Sequence, residues 1–437
     1  MKELTPPGEQ LPSPRLRSEG WAPNGGQVRP TAATWSPAAR RRGVGWSGQL
    51  LFLAVLCGTL AGESTASCSK EMSTLVLDFW NCVPEEILAH VFSYLPFEDR
   101  HTAFSVCQSW VKAVSVPSVW SFTEIRCNTE GMDNGCMLER LHQYLCHIKH
   151  LKIILDQCQE RFRRQVTQIL DKLTQKSYTL QALCIVYCGE SPYAYSGPDI
   201  LYSFRLFLRR GNLDLQYIDF RQTSFMLDSE TVQLTATSSP NLHTLFINNY
   251  ACRVTVLKPE TIIEVLRTCP KLSSLGVHQA TLSEDVLQEL LKPSRGPFLF
   301  LDIFCDGLDH DIPEELWSAL TEKHPQLRVG LELSFLVTPW QIPPILKPNI
   351  PVAAMQFNTF IYMARQIRFV TANYSRTLEK LVLDTNPSNA LSLALIEMAR
   401  TCVHLKEIHC SCTVSQGVRD AFLSNCPALI RYTLSTH

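Results

Sequence analysis

None of the 17 cysteines forms a C-x-x-C pair, which removes the usual mark of a structural zinc site. The nearest pairs, Cys184/Cys188 and Cys410/Cys412, match no common metal spacing. An odd count leaves at least one thiol outside any disulfide framework, so buried thiols in a reduced compartment are the simpler reading. Neither sign of charge dominates, because 40 Lys and Arg face 41 Asp and Glu, a net charge of -1. That balance argues against nucleic acid as the main partner, since a phosphate-tracking surface needs surplus cations. No apolar run reaches the roughly 20 residues that a membrane helix requires. H-E-x-x-H, G-x-x-x-x-G-K and G-x-S-x-G patterns are also missing, so no catalytic residue, metal ligand or cofactor site is expected.

Glycine is scarce after residue 71, with only 10 of 19 in the remaining 366 positions. Residues 1–48, in contrast, hold 7 Pro and 7 Gly, the composition of a disordered leader, taken as 1–75. Within it Arg40-Arg41-Arg42 precedes an apolar run over 50–61 (LLFLAVLCGTLA). Such a run fits the layout of a secretory signal with an unusually long preceding segment, or an inert stretch of leader. Another reading makes Met72 the usual start and residues 1–71 an isoform extension.

From Val83 the text reads VPEEILAHVFSYLPFEDRHTAFSVCQSWVKAVSVPSVW. Pro84 suits the first position of a helix, and Glu85 and Glu86 favour its positive end. Ile87, Leu88, Val91, Phe92 and Leu95 make an apolar stripe of helical period that Pro96 stops. Asp99 is placed to cap a second helix carrying Ala103, Phe104, Val106, Cys107 and Trp110. A module of about forty residues is uncomfortable alone and is expected to lend some large apolar side chains to a partner. This stretch resembles an F-box, the motif that docks substrate receptors on the Skp-type adaptor of cullin-RING ubiquitin ligases. The matching residues are Val83-Pro84, Glu86-Ile87-Leu88, Val91-Phe92, Tyr94-Leu95, Asp99, Val106-Cys107, Trp110 and Val119-Trp120. Arg100 and Gln108 depart from the pattern, standing where a leucine and an arginine are common. The resemblance implies adaptor contact through Val83, Pro84, Ile87, Leu88, Val91, Phe92, Leu95, Val106 and Trp110, the stripe dividing between internal core and adaptor groove.

Beyond residue 140 apolar residues return at x, x+3 and x+5. Clear cases are Ile148/Leu151/Ile153, Leu180/Leu183/Ile185, Leu215/Ile218/Phe220, Leu242/Leu245/Ile247 and Leu272/Leu275/Val277. Phe298/Leu301/Ile303, Val352/Met355/Phe357, Leu378/Leu381/Leu383, Leu405/Ile408/Cys410 and Leu429/Tyr432/Leu434 continue the series, with Leu327/Gly330/Glu332 as a degenerate unit. The starts recur about every 28 residues, within the leucine-rich-repeat range. Units of strand plus helix stack to share one core, which gives a curved solenoid with strands lining the concave side. Cys269, Cys402 and Cys426 each sit three residues before a strand start, with Ser239 and His324 in equivalent slots. These are packing positions. Cys410 beside His409 is the sharpest candidate nucleophile, but no activating constellation accompanies it and the repeat already explains it.

The order of the two parts is that of the F-box/leucine-rich-repeat proteins. The expected fold is therefore α/β, a disordered leader, a short helical F-box over 80–125, and a leucine-rich-repeat horseshoe over 140–437. With the last strand ending near Leu434, no long tail is expected to fold back into the concave side. The family resemblance implies a non-catalytic receptor that works by proximity, through the Skp-type adaptor and indirectly the cullin and RING subunits, in the cytoplasm and nucleus. Its protein substrate is expected on inward-pointing residues: Asp219, Arg221, Phe246, Asn248, His278, Phe300, Asp302, Phe304, Gln356, Asn358, Lys380, Glu407 and His409. Phe300 and Phe304 stand out as neighbouring aromatics that suit either an exposed binding patch or, since they follow Pro297 in a hydrophobic run, burial against a loop. Two other classes remain open: an F-box scaffold that ubiquitinates nothing, and a secreted or lumenal repeat receptor, for which glycosylation at Asn373-Tyr374-Ser375 would speak.

Overall fold

A computed structural model of the chain describes residues 83–128, 135–175, 180–189, 195–210, 213–250, 257–307, 312–359 and 361–436. The leader of 1–75, with its arginines, the 50–61 run and Met72, lies outside the described residues. The described chain opens with four short helices, α1 (Glu85–Ser93), α2 (Phe97–Ala103), α3 (Gln108–Val114) and α4 (Pro117–Trp120). Pro84 is the N-cap of α1 rather than its first residue, and its carbonyl accepts from the Ile87 and Leu88 amides at 3.1 Å. Asp99 does not cap. Pro96 does, and Asp99 lies inside the first turn of α2, where its charge faces the positive helix end. The single helix expected over 99–110 is two, because the extended backbone of Cys107 breaks the run and starts α3.

The helices feed a sheet of β1 (Phe122–Cys127), β2 (His150–Leu155), β3 (Ala182–Tyr187), β4 (Tyr217–Asp219), β5 (Thr244–Phe246) and β6 (Ser274–His278). It continues through β7 (Phe300–Cys305), β8 (Arg328–Leu333), β9 (Val352–Asn358), β10 (Lys380–Asp384), β11 (Glu407–Val414) and β12 (Arg431–Thr436). The strands lie side by side in chain order, each parallel to the next, which is the stacked arc that the repeat implies. One side chain in two faces the returning helices. Leu151/Ile153, Leu183/Ile185, Leu275/Val277 and Leu301/Ile303 are all buried in one continuous core.

One unit differs from the expected phase. Register pairs Leu301 with Val329 and Ile303 with Leu331, so Val329 and Leu331 carry the core while Gly330 and Glu332 face inward. The chain reaches β8 one residue early. An irregularity restores the phase, since Val329 pairs with Val352 but Gly330 with Ala354, leaving Ala353 as the extra residue.

The cysteine slots are packing positions, as expected. Cys269 Sγ donates to the Ala236 and Ser239 carbonyls, and Cys426 Sγ to those of Ala399 and Cys402. Burial pushes the Cys269 thiol up to about 11 and Cys402 up to about 12, so neither is a nucleophile near neutral pH. His324 fills the same slot by bridging the Phe298 amide at 3.2 Å and the Leu290 carbonyl at 3.1 Å.

Candidate functional site

Two surfaces carry the expected functional residues. The first is the helical module. Helix α1 is apolar on two sides. Its inner stripe, Leu88, Ala89 and Phe92, is buried, with Phe92 set edge-on to Trp110 at 4.9 Å between ring centroids. Leu88, Phe92 and Trp110 therefore belong to the module's own core and cannot touch an adaptor directly, which corrects that part of the expectation. The outer stripe is Ile87, Val91 and Tyr94, at i, i+4 and i+7. Ile87 is 55% exposed and Tyr94 60%, with Pro84 also open to solvent and Val83, Val91, Leu95 and Val106 half-buried. An isolated domain gains nothing from leaving Ile87 and Tyr94 in water, so the stripe is suited to a partner's groove.

Arg100, a departure from the motif, proves to be structural. Its guanidinium is buried and donates to the carbonyls of Ser93 at 2.9 Å, Leu95 at 3.0 Å and Phe122 at 2.9 Å. Ser93 is the last residue of α1 and Leu95 follows its C-cap Tyr94, at the end where carbonyls lack helical partners and the dipole is negative. Phe122 opens β1. One side chain thus caps the first helix and ties the module to the sheet. Trp120 strengthens the seam, stacking on Tyr144 at 4.3 Å and donating from Nε1 to the Val114 carbonyl at 2.7 Å.

The second surface is the inner face of the arc. The aromatics expected to be exposed there are not: Phe300 and Phe246 are each 1% exposed, and Phe304 is buried too. Concave curvature crowds the inner side chains of neighbouring strands, so the rings cover one another. Phe246 meets Tyr217 at 6.2 Å and Phe300 at 6.1 Å, and Phe304 meets His278 at 5.4 Å and Tyr250 at 6.0 Å, all edge-on.

The polar candidates fall into three groups. In the first, Arg221 bonds Asp219 at 2.7 Å, lies 3.9 Å above the Phe246 ring, and reaches Asp302 at 3.2 Å on β7. Two glycines leave space around this group: a Cβ at Gly330 would stand 2.3 Å from Asp302 Oδ1, and one at Gly276 would stand 2.1 Å from Asn248 Oδ1 and 2.7 Å from the Phe246 ring on which Arg221 lies. Burial opposes charge on Asp219, yet the Arg221 guanidinium holds its carboxyl below the usual range. In the second group, Gln356 and Asn358 both donate to Glu332, at 3.2 and 2.9 Å. Burial, reinforced by Asp302, raises Glu332 to about 7 against the pull of Asn358, Arg221 and Lys380. In the third, Glu407 pairs with Lys380 at 3.4 Å and with Arg431, while His409 lies 3.9 Å away and meets Thr433 at 3.0 Å. His278 is buried against the Phe304 ring, and Asn248 is buried with its Oδ1 over Gly276.

Sequence reading missed Arg100, Glu332, Lys380's partner Arg431 and Asp306. Glu332 was hidden by the one-residue phase slip at β8. Arg100 carried no signal beyond its mismatch to the motif. Among the described residues no three His, Cys, Asp or Glu side chains are grouped to hold a metal, and no helix is long and apolar enough to cross a membrane.

Comparison with known proteins matches residues 80–123 to the F-box-like family. The chain is 35% identical to "F-box/LRR-repeat protein 8" of Homo sapiens over 356 residues, covering 80% of this chain and 94% of that protein. Identity to "F-box/LRR-repeat protein 21" of Mus musculus is 22%, covering 81% of each. Among solved structures, "Crystal structure of Rad7 and Elc1 complex in yeast" aligns with a TM-score of 0.42 and 14% identity, over 85% of this chain and 87% of that one, too loosely to carry a conclusion.

Proposed function

The chain belongs to the F-box/leucine-rich-repeat family, and we propose that it is the substrate receptor of a Skp–cullin–F-box ubiquitin ligase. The carrying observation is the outer stripe of α1, where the module's own core leaves Ile87 and Tyr94 exposed and Val91, between them, half-buried. In this reading the stripe enters the groove of a Skp-type adaptor, whose cullin and RING subunits bring a ubiquitin-charged conjugating enzyme. The arc holds the client. Nothing in the receptor reacts, and the rate gain comes from effective concentration. Arg100 serves this role by fixing the module against β1, because a receptor hinged at that seam would sample many client-to-enzyme distances. Cytoplasm and nucleus, where the adaptor resides, are the compartments proposed.

The test is immunoprecipitation of the full chain from cells, with recovery of adaptor, cullin and RING subunit expected together. Adaptor without cullin would point to a scaffold that ubiquitinates nothing. Recovery of none of the three would overturn the proposal.

A further inference from the structure

Cys410 and Cys412 lie two residues apart on β11, and their sulfurs approach to 3.2 Å. In a regular strand, side chains so spaced stand about 6.6 Å apart and run parallel. The contact arises from an irregularity in the pairing with β12. Cys410 faces Leu434 and Val414 faces Thr436, so four steps along β11 advance only as far as two along β12. A straight strand would cover about 13 Å in four steps, and here it covers about half of that. The surplus chain is bunched over 411–413, as in a bulge, and the bunching brings the two thiols together. Ser411, between them, is tied to β10, its hydroxyl reaching the Leu383 carbonyl at 3.2 Å and the Asp384 carboxylate at 2.7 Å.

The two thiols are unequal. Cys410 is buried in the core, whereas Cys412 is half-buried and open to a small oxidant. The hydrogen bond from Cys410 lowers Cys412 from an ordinary 9.0 to about 7, although burial and the Asp384 carboxylate oppose the shift. The same contact, with burial, raises Cys410. One sulfur is thus an ionised, accessible nucleophile, and the other a protonated thiol touching it. That is the arrangement of an attacking and a resolving cysteine. Cys269 and Cys426, by contrast, spend their thiols on backbone carbonyls, and burial pushes Cys127 up to about 12.

We propose that Cys410 and Cys412 form a peroxide-responsive dithiol, a reversible oxidation site that closes to a disulfide within β11. The proposal goes beyond the receptor reading and does not rest on it. In the first step the Cys412 thiolate attacks hydrogen peroxide: an S–O bond forms, the O–O bond breaks, and hydroxide leaves. The product is the Cys412 sulfenic acid. In the second step the Cys410 sulfur attacks Cys412: the S–S bond forms, the S–O bond breaks, and the departing hydroxide takes the Cys410 proton as water. Two thiols lose two electrons to one peroxide. The sulfurs have to close only from 3.2 Å to roughly 2.05 Å.

Reversal needs a small thiol such as glutathione. One molecule opens the bridge as a mixed disulfide and a second leaves with it as glutathione disulfide, which returns both cysteines to thiols. In a reducing compartment such a bridge is transient, a response to oxidant rather than a structural staple. The Ser411 bonds to β10 hold the intervening residue while the sulfurs move.

The test treats the reduced full chain with hydrogen peroxide at pH 7, stops the reaction with catalase, alkylates the remaining thiols in urea and digests with trypsin. Both cysteines leave in one peptide, Glu407–Arg419, so the bridge is read by mass spectrometry as an unalkylated peptide lighter by two hydrogens. The expected result is that this form accumulates, that dithiothreitol restores two alkylatable thiols, and that it appears about fivefold faster in the native chain than in the chain unfolded in urea. Half of Cys412 is ionised at pH 7 against about 1% of an ordinary thiol, and the weaker nucleophilicity of the less basic sulfur cuts that 50-fold advantage to about five. Cys410→Ser keeps a donor to Cys412 but cannot bridge, so Cys412 is expected to stop at the sulfenic acid and be trapped by dimedone. Two alkylatable thiols persisting in 407–419 while the exposed Cys146 or Cys158 is oxidised would overturn the proposal. So would equal rates in native and unfolded chains, a comparison that needs no variant to fold, or a folded Cys410→Ser chain whose Cys412 takes up no dimedone.

Discussion

Replacing Arg100 with leucine, a residue common at this place in the motif, tests whether the module and the arc form one body. The substitution removes donors from the carbonyls of Ser93, Leu95 and Phe122 and a weaker contact to Thr123 Oγ1 at 3.4 Å. It also relieves the desolvation of a buried guanidinium. Each carbonyl left dry costs about 1–3 kcal/mol, and recovery of the charge-desolvation energy offsets part of the total. A net loss of about 2–4 kcal/mol follows, confined to the module and its seam. Hydrogen exchange by mass spectrometry on the full chain reads this locally. Amides of 85–127 are expected to exchange about 30- to 1000-fold faster, as that free energy dictates, while those of β5–β10 stay unchanged. Arg100→Lys is expected to fall between, since an ammonium cannot span three carbonyls in a planar fork. Unchanged protection over 85–127 in Arg100→Leu would refute the latch.

Gly276→Ala is expected to lower stability by about 1–3 kcal/mol in denaturant unfolding, because its Cβ meets Asn248 and Phe246, and to loosen the Arg221–Asp302 bridge. Glu332→Gln is expected to act by pH. The folded carboxyl titrates near 7 and the unfolded one near its ordinary value of 4.5, so the native state holds the proton more tightly. Its favourable contribution is full below 4.5 and is lost as pH rises through 7. The variant should match the parent at pH 4.5–5 and exceed it by about 2 kcal/mol at pH 8, a figure reduced for partial access of solvent. Cys412 and Cys410 lie 3.2 Å apart sulfur to sulfur; the contact lowers Cys412 to about 7 and, with burial, raises Cys410. Mass mapping after brief iodoacetamide treatment at pH 7.5 should find Cys412 alkylated and Cys410 intact.

The fold was readable because its signal repeats. Leu183/Ile185 and Leu381/Leu383 say the same thing nearly two hundred residues apart, so one faulty unit at Leu327 misleads by one residue without obscuring the arc. The inner face was less readable. Alternation assigns Phe246 and Phe300 to the concave side correctly, but alternation knows nothing of curvature, and curvature decides that those rings cover each other. The helical stripe raised a similar ambiguity: period places Ile87 and Leu88 on neighbouring faces, and only the packing of Phe92 on Trp110 shows which face is internal. Arg100 was unreadable, because its partners are backbone carbonyls from two elements that only the fold brings together.

The direct test of the central claim is the affinity of the full chain for the purified Skp-type adaptor, measured by isothermal titration for Ile87→Asp and Tyr94→Asp. Both side chains are exposed, so folding should survive, as hydrogen exchange of the buried Leu88–Phe92 segment can verify. The account expects each charge to cost 2 kcal/mol or more of binding, about thirtyfold, as for central interface anchors. Parent affinity retained by both folded variants would contradict it.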